Sequence, residues 1–162
     1  MFLRNLTIAA SLLVGAGSAS ALSPGVGEVV TNSSITTAYG QTLSIADLRG
    51  EVVVLTYWAS DCAVCQEQMK ALDFYHRQRP NVGLKMFAVS ADGMSSQQLR
   101  KAFKNQSVYP LSSIQGPFEP MGALPTTYVI DRRGQVRYAA AGALGIDELN
   151  QLLVPLLRQP QP

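Results

Sequence analysis

Val52 to Tyr57 is an unbroken run of β-branched and apolar residues, the signature of a strand covered on both faces in the middle of a mixed or parallel sheet. It predicts a central strand. After the four residues Trp58-Ala59-Ser60-Asp61, the positions Cys62, Cys65, Met69, Leu72 and His76 recur at helical spacing until Pro80 and Gly83 close the segment. A long helix therefore starts at the first cysteine, directly behind the strand. Downstream, Leu84 to Val89 reads as a strand, Ser95 to about Asn105 as a helix capped by Ser95 or Ser96, and Thr126 to Ile130 with Gln135 to Ala140 as a hairpin. A last helix begins near Asp147, and Pro155 inside it predicts a kink or a broken final turn. Upstream, Ser34 to Ile45 reads as two short strands around Tyr39-Gly40-Gln41, with Gly40 supplying the backbone freedom of the turn. The sum is an α/β three-layer sandwich on a mixed central sheet flanked by helices, in the order βαβαββα after an extra N-terminal hairpin.

The two ends add a compartment. Arg4, an apolar run from about Leu6 to Gly17 and the small residues Ala19-Ser20-Ala21 have the three-part layout of a secretory signal. The run is short for a membrane span, which needs about 20 residues, so cleavage after Ala21 is expected, and membrane attachment only if the signal stays as an anchor. Export of this kind leads to a periplasm, where disulfides persist. Ser23 to Asn32 reads as a linker or irregular leading segment. The 162 residues, 47% hydrophobic and 15% charged, suit one core. A net charge of +2, with basic residues scattered along the chain, excludes the basic tract of a nucleic-acid binder. Arg132 and Arg133, in Asp131-Arg132-Arg133-Gly134, read as a solvated hairpin turn.

The only two cysteines, Cys62 and Cys65, carry the chemistry. A sulfur at a helix N-terminus faces unpaired N–H groups and the positive end of the dipole, which favours thiolate and makes Cys62 the nucleophile. Cys65, almost one turn on, is placed to attack a mixed disulfide formed at Cys62 and release the reduced product. Three plainer readings compete. As a structural staple the pair is poor, because so short a loop restrains the unfolded chain by only about 2 kcal/mol, against roughly 4 to 5 for a very long loop. Closed structural zinc needs four ligands, and the one histidine, His76, lies about 16 Å along the helix from Cys65 at 1.5 Å per residue. That distance also argues against a Cys-His couple, although a partial metal site completed by a partner or a methionine stays open. Two inert buried thiols are the third reading. For His76 itself the plain role is a residue near the helix C-terminus, where the dipole favours its protonated form.

A second constellation is Leu124-Pro125-Thr126-Thr127 at the start of a strand. A proline there cannot donate to the ladder and marks a fixed turn, trans by default and sometimes cis, with the preceding backbone left to pair with something else.

Thr42-Leu43-Ser44, Asp47-Leu48-Arg49-Gly50, Val52 to Trp58, the CxxC, and Leu124 to Ile130 with Asp131 and Gly134 together resemble the TlpA/ResA-like branch of the thioredoxin superfamily over about Ile35 to Leu157. The resemblance implies a thioredoxin-like domain at residues 34–158, preceded by the signal at 1–21 and a leading segment at 22–33 and followed by a tail at 159–162. It implies a cis proline at Pro125 beside the CxxC, with Leu124, Pro125 and Thr126 forming a groove in which extended cysteine-bearing polypeptides dock. It further implies reduction of envelope-protein disulfides, for example in cytochrome c maturation, with electrons from a transmembrane thiol donor. No cofactor beyond the Cys62-Cys65 disulfide and no metal are implied. A non-enzymatic metal-binding or docking module on the same fold is the alternative.

This chain departs from its relatives around the pair. Trp58 would shield the sulfurs, but Asp61 stands before Cys62, and Ala63-Val64 fill the positions between the cysteines. A carboxylate at Asp61 should oppose thiolate formation. Thr56 stands where classical thioredoxins bury an acid, and Gln68 where many TlpA-like proteins carry a glutamate. Neither titrates usefully. Glu67 is about 100° round the helix and is not assigned the missing proton-transfer role.

Overall fold

The computed structural model describes residues 23–161; the expected signal at 1–21 lies outside them. Seven strands and three helices follow in chain order: β1 Ser34–Thr37, β2 Thr42–Ser44, β3 Val52–Trp58, α1 Ala63–Arg77, β4 Leu84–Ser90, α2 Ser96–Ala102, β5 Tyr109–Gln115, β6 Thr126–Ile130, β7 Val136–Ala141 and α3 Ile146–Leu157. A 3-10 turn at Ile45–Leu48 follows β2, with Ser44 and Asp47 forming its capping box. The strands make one mixed sheet in the order β2-β1-β5-β4-β3-β6-β7.

All seven residues of β3 are buried, between parallel β4 and antiparallel β6. That is what its unbroken apolar run requires. Alternate residues feed two cores. Val52, Val54 and Trp58 point to the face covered by all three helices, meeting Met69 and Leu72 of α1, Leu99 of α2 and Leu149 and Leu153 of α3. Val53, Leu55 and Tyr57 point to the other face, where the covering layer comes from Val30 of the leading segment, Ile45 of the 3-10 turn and Phe118. The leading segment is fastened to the sheet: Gly27 N–H donates to Val136 O and Val30 N–H to Gly134 O.

Three expectations need correction. The order after the hairpin is βαβαβββα, because β5 lies between α2 and β6. It pairs parallel with β4 and antiparallel with β1, yet its sequence Tyr-Pro-Leu-Ser-Ser-Ile-Gln lacks the alternation of a local strand signal, and Pro110 speaks against one. Secondly, the last turn of α3 is not broken: the helix runs through Pro155 to Leu157, and Arg158 N–H closes the last turn on Val154 O at 3.2 Å. Pro155 and Gln151, whose carbonyl loses its ladder partner, are both exposed, so water can satisfy that oxygen. Thirdly, Arg132 is not solvated. Only 3% exposed, it donates from Nη1 to Gly50 O and from Nη2 to Val82 O and Leu157 O, both at 3.0 Å. Asp131 is buried too, accepting from the N–H groups of Arg133 and Gln135 at 2.9 and 3.0 Å. Side-chain acceptance of this kind shapes the turn from within.

His76 likewise acts as a pin. Its Nδ1 lies 3.0 Å from Ser107 O and its Nε2 3.2 Å from Leu84 O, tying the C-terminal part of α1 to the start of β4 and to the segment before β5.

Candidate active site

The chain leaves β3 at Trp58, passes Ala59, Ser60 and Asp61, and enters α1 with Cys62 as the N-cap. Cys62 and Cys65 form a disulfide, with their Cα atoms 5.2 Å apart. The Cys65 N–H donates to Cys62 Sγ at 3.2 Å, so the sulfur takes the capping place that a serine or aspartate oxygen fills elsewhere. The two sulfurs differ in access. Cys62 is half-buried, whereas Cys65 is 0% exposed and belongs to the helix-side core. Asp61, Ala63 and Val64 are exposed around Cys62, and Val64 leaves 55% of its surface open. Trp58 lies in the same core as Cys65 and packs edge-on against Phe103, ring centroids 5.3 Å apart.

The approach loop is held by a residue the sequence reading did not single out. Asp92 Oδ2 accepts from Ser60 N–H at 2.8 Å and from Ser60 Oγ at 2.5 Å, and Asp92 Oδ1 accepts from Ser90 Oγ. The hydroxyls of Ser60 and Ser90 hold the Asp92 carboxyl down to about 2, so this clamp is charged at any physiological pH. Ala91 N–H adds a bond to Trp58 O at 2.8 Å. A signal existed: β4 runs parallel to β3, so the turn after it must reach the same end of the sheet as the CxxC.

On the same helix face as Cys65, Gln68 is 2% exposed and fully engaged. Its Nε2 donates to Thr56 Oγ1 at 2.8 Å and Thr127 Oγ1 at 3.0 Å, and its Oε1 accepts from Leu144 N–H at 2.7 Å. Thr56 and Thr127 hydroxyls are 3.0 Å apart. The amide thus joins α1, β3, β6 and the loop before α3 through neutral groups alone. Glu67 is elsewhere, exposed and paired with Lys70 at 2.8 Å.

Antiparallel pairing of Tyr57 with Thr126 puts Pro125 level with Trp58, at the end of the sheet where the chain departs for the CxxC. The Leu124–Pro125 peptide is cis. Pro125 is buried and its carbonyl accepts from Gly142 N–H, while Thr126 Oγ1 donates to Ala123 O at 2.7 Å and accepts from Met121 N–H at 3.0 Å. Two phenols fix the loop that carries these residues: Tyr57 donates to Phe118 O at 2.7 Å and Tyr128 to Glu119 O at 2.6 Å. Burial raises the Tyr57 hydroxyl, which keeps it a donor. Among the described residues, neither backbone group of Leu124 has a hydrogen-bond partner. The free edge and the half-buried sulfur therefore share one end of the molecule. Among the described residues, no three His, Cys, Asp or Glu side chains are grouped to hold a metal ion.

Comparison with known proteins agrees with this geometry. The AhpC/TSA family matches residues 26–139. Thiol-disulfide oxidoreductase ResA of Oceanobacillus iheyensis is 27% identical over 116 residues, 69% of this chain and 60% of that protein. Thioredoxin-like protein YneN of Bacillus subtilis is 25% identical over 136 residues, 78% of each chain. The match thus spans about 60% of the length of that ResA relative. Among solved structures, a putative thiol:disulfide interchange protein DsbE from Chlorobium tepidum superposes with a TM-score of 0.65 at 22% identity, over 83% of this chain and 99% of the other. A secreted thiol-disulfide isomerase from Corynebacterium glutamicum gives 0.67 at 16% identity, over 82% and 86%. With a matched stretch that covers most of the sheet, α1 and the cysteine pair, the chain belongs to the AhpC/TSA family, on a thioredoxin-like fold.

Proposed function

We propose that this protein is a thiol-disulfide oxidoreductase that reduces disulfides of partner polypeptides through Cys62 and Cys65. One observation carries the reading: a half-buried sulfur at a helix N-terminus is bonded to a fully buried one, beside a free stretch of backbone at Leu124. In the reduced chain, the Cys62 thiolate attacks a partner disulfide, forms a bond to one partner sulfur and releases the other as thiolate. Cys65, deprotonated, then attacks Cys62 Sγ, restoring the Cys62–Cys65 bond and releasing the second partner thiolate. Two electrons pass to the partner, and its two sulfurs take up protons. The Cys65 N–H that now points at Cys62 Sγ would stabilise the thiolate before attack. With Thr56, Gln68 and Thr127 all neutral, the proton of Cys65 leaves to water or to the departing partner thiolate.

The similarity to ResA, with the signal-like N-terminus, supports a finer reading. The protein is exported to a periplasm, takes cysteine-containing envelope proteins as substrates, cytochrome c precursors among them, and regains electrons from a transmembrane thiol donor. The test is capture. Expressed in its own envelope, the Cys65→Ser chain should accumulate mixed disulfides at Cys62 that dithiothreitol dissolves, and mass spectrometry should identify cysteine-bearing envelope proteins. A Cys65→Ser chain that stays unconjugated while a Cys62→Ser, Cys65→Ser control looks the same would reject the reading.

A further inference from the structure

The basic residues that look scattered in the sequence are sorted by the fold. β3, β4 and β5 all end, and β6 begins, at the CxxC end of the sheet. The loops there, residues 59–62, 91–95, 116–125 and 142–145, contain Asp61, Asp92 and Glu119 and no lysine or arginine. The first turn of α3 adds Asp147 and Glu148. Acids in a first turn answer the helix dipole, and Asp92 holds Ser60 and Ser90, but Asp61 and Glu119 lie outside the helices and have no such reason to be there. Asp61, Asp92 and Glu119 are all exposed, and no ion pair engages them among the described residues. Lys70, the first cation along α1, is already paired with Glu67. The opposite end carries the exposed Arg49, Arg133 and Arg158, with Arg77 paired to Asp73, Arg132 buried, and Glu51 and Asp131 beside them. A net charge of +2 thus conceals a disulfide end whose loops carry acids and no cations.

The docking surface at the disulfide end has two sequence-tolerant parts, the unpaired backbone of Leu124 and the exposed apolar side chains of Val64 and Met121. Neither selects strongly among extended peptides. Charge does, because a field of one sign over a surface attracts and orients partners of the other sign before contact. We infer that the partner segment docking across Cys62 is cationic: an extended polypeptide with lysine or arginine beside its cysteines. This rests on the oxidoreductase reading and specifies its substrate class.

The inference is tested on the reduced full chain by stopped flow, following the fluorescence of Trp58, the single tryptophan, as Cys62 and Cys65 are oxidised. Three disulfides are compared: two synthetic peptides of equal length with a pair of cysteines, flanked by lysine in one and glutamate in the other, and uncharged hydroxyethyl disulfide. At low ionic strength the lysine peptide should react about tenfold faster than the glutamate peptide, and the gap should close in ~1 M salt, where the screening length is about 3 Å. Hydroxyethyl disulfide should show little salt dependence. The Glu119→Lys chain should lose roughly threefold of the preference while reducing hydroxyethyl disulfide at the parent rate, which also shows that it is folded. Equal rates for the two peptides at low salt, or a faster glutamate peptide, would overturn the inference and leave the redox activity standing. Failure of all three disulfides to react would overturn both.

Discussion

Two buried polar side chains, Gln68 and Arg132, each gather three partners, and they sit at opposite ends of the molecule. Gln68 sits on the Cys65 face of α1 and connects two threonine hydroxyls and one backbone N–H. Arg132 lies at the far end and draws together the carbonyls of Gly50, Val82 and Leu157. Both answer the same need, since buried polar groups call for partners, Gln68 with its amide nitrogen and oxygen both bonded and Arg132 with both terminal nitrogens bonded and Nε left unpaired. They differ in charge. A guanidinium keeps its proton at every relevant pH, and far from the sulfurs its field does no harm. Near Cys65 a fixed or titrating charge would bias thiolate formation, and there the chain uses an amide. The comparison separates a charged clasp that holds the fold from a neutral one that holds the site without setting its acidity.

The largest effect that would break this contrast is expected at the clasp. Arg132→Met should cost about 3 kcal/mol of stability, because three carbonyls lose a charged donor and are left buried. Urea unfolding measures this, and the exchange rate of the remaining folded protein should stay at the parent value. A variant as stable as the parent would mean that water replaces the guanidinium and that the clasp is dispensable.

Gln68→Glu sharpens the contrast from the other side. The new carboxyl is nearly the same shape but buried, which raises its pKa above that of a free carboxylate. Its protonated form is then favoured by folding, so stability should be highest below the unfolded value of about 4.3 and fall as pH rises through the folded one. The rate of exchange at Cys62 and Cys65 should gain an inflection in the same range, absent from the parent. A variant whose pH–rate curve overlays the parent's would show that charge at this position does not reach the sulfurs.

The smallest effect is at Asp61. Its carboxylate is exposed beside Cys62, and solvent screens it. Asp61→Asn should lower the Cys62 thiol pKa by a fraction of a unit, favour the reduced form and make the disulfide slightly more oxidising. Ultraviolet titration of the thiolate and equilibration with glutathione would show both, and a thiol pKa that is unchanged or higher rejects the prediction.

How much of this could be read from the residues depended on how local each signal is. β3 and α1 announce themselves through an uninterrupted apolar run and a helical recurrence, because both bury a face that needs those residues. β5 is held by neighbours distant in sequence, with Ser34 opposite Gln115 and Phe87 beside Tyr109, so nothing in Tyr109 to Gln115 alone requires a strand. Arg132 was misread for a related reason. A charged doublet in a turn is normally solvated, and only the convergence of three carbonyls from separate segments makes a cavity suited to a guanidinium. At the site, Cys62 and Cys65 were plain in the spacing, and Gln68 was noticed as a departure from relatives. Its bonds to Thr127 and the Leu144 N–H, like the Asp92 clamp on Ser60, depend on which loops the sheet brings together, which no short window records.

The unequal access of the two sulfurs has a consequence for timing. While a partner is tethered to Cys62, the only thiol positioned to finish the reaction is sealed in the interior, out of reach of small oxidants and competing thiols. An outside thiol can still attack the mixed bond at the half-buried Cys62, but resolution by Cys65 needs only a motion within one turn of helix and is a first-order event. A protein arranged this way sets its own pace for each partner it captures, and surrounding thiol competes with that pace only by its concentration.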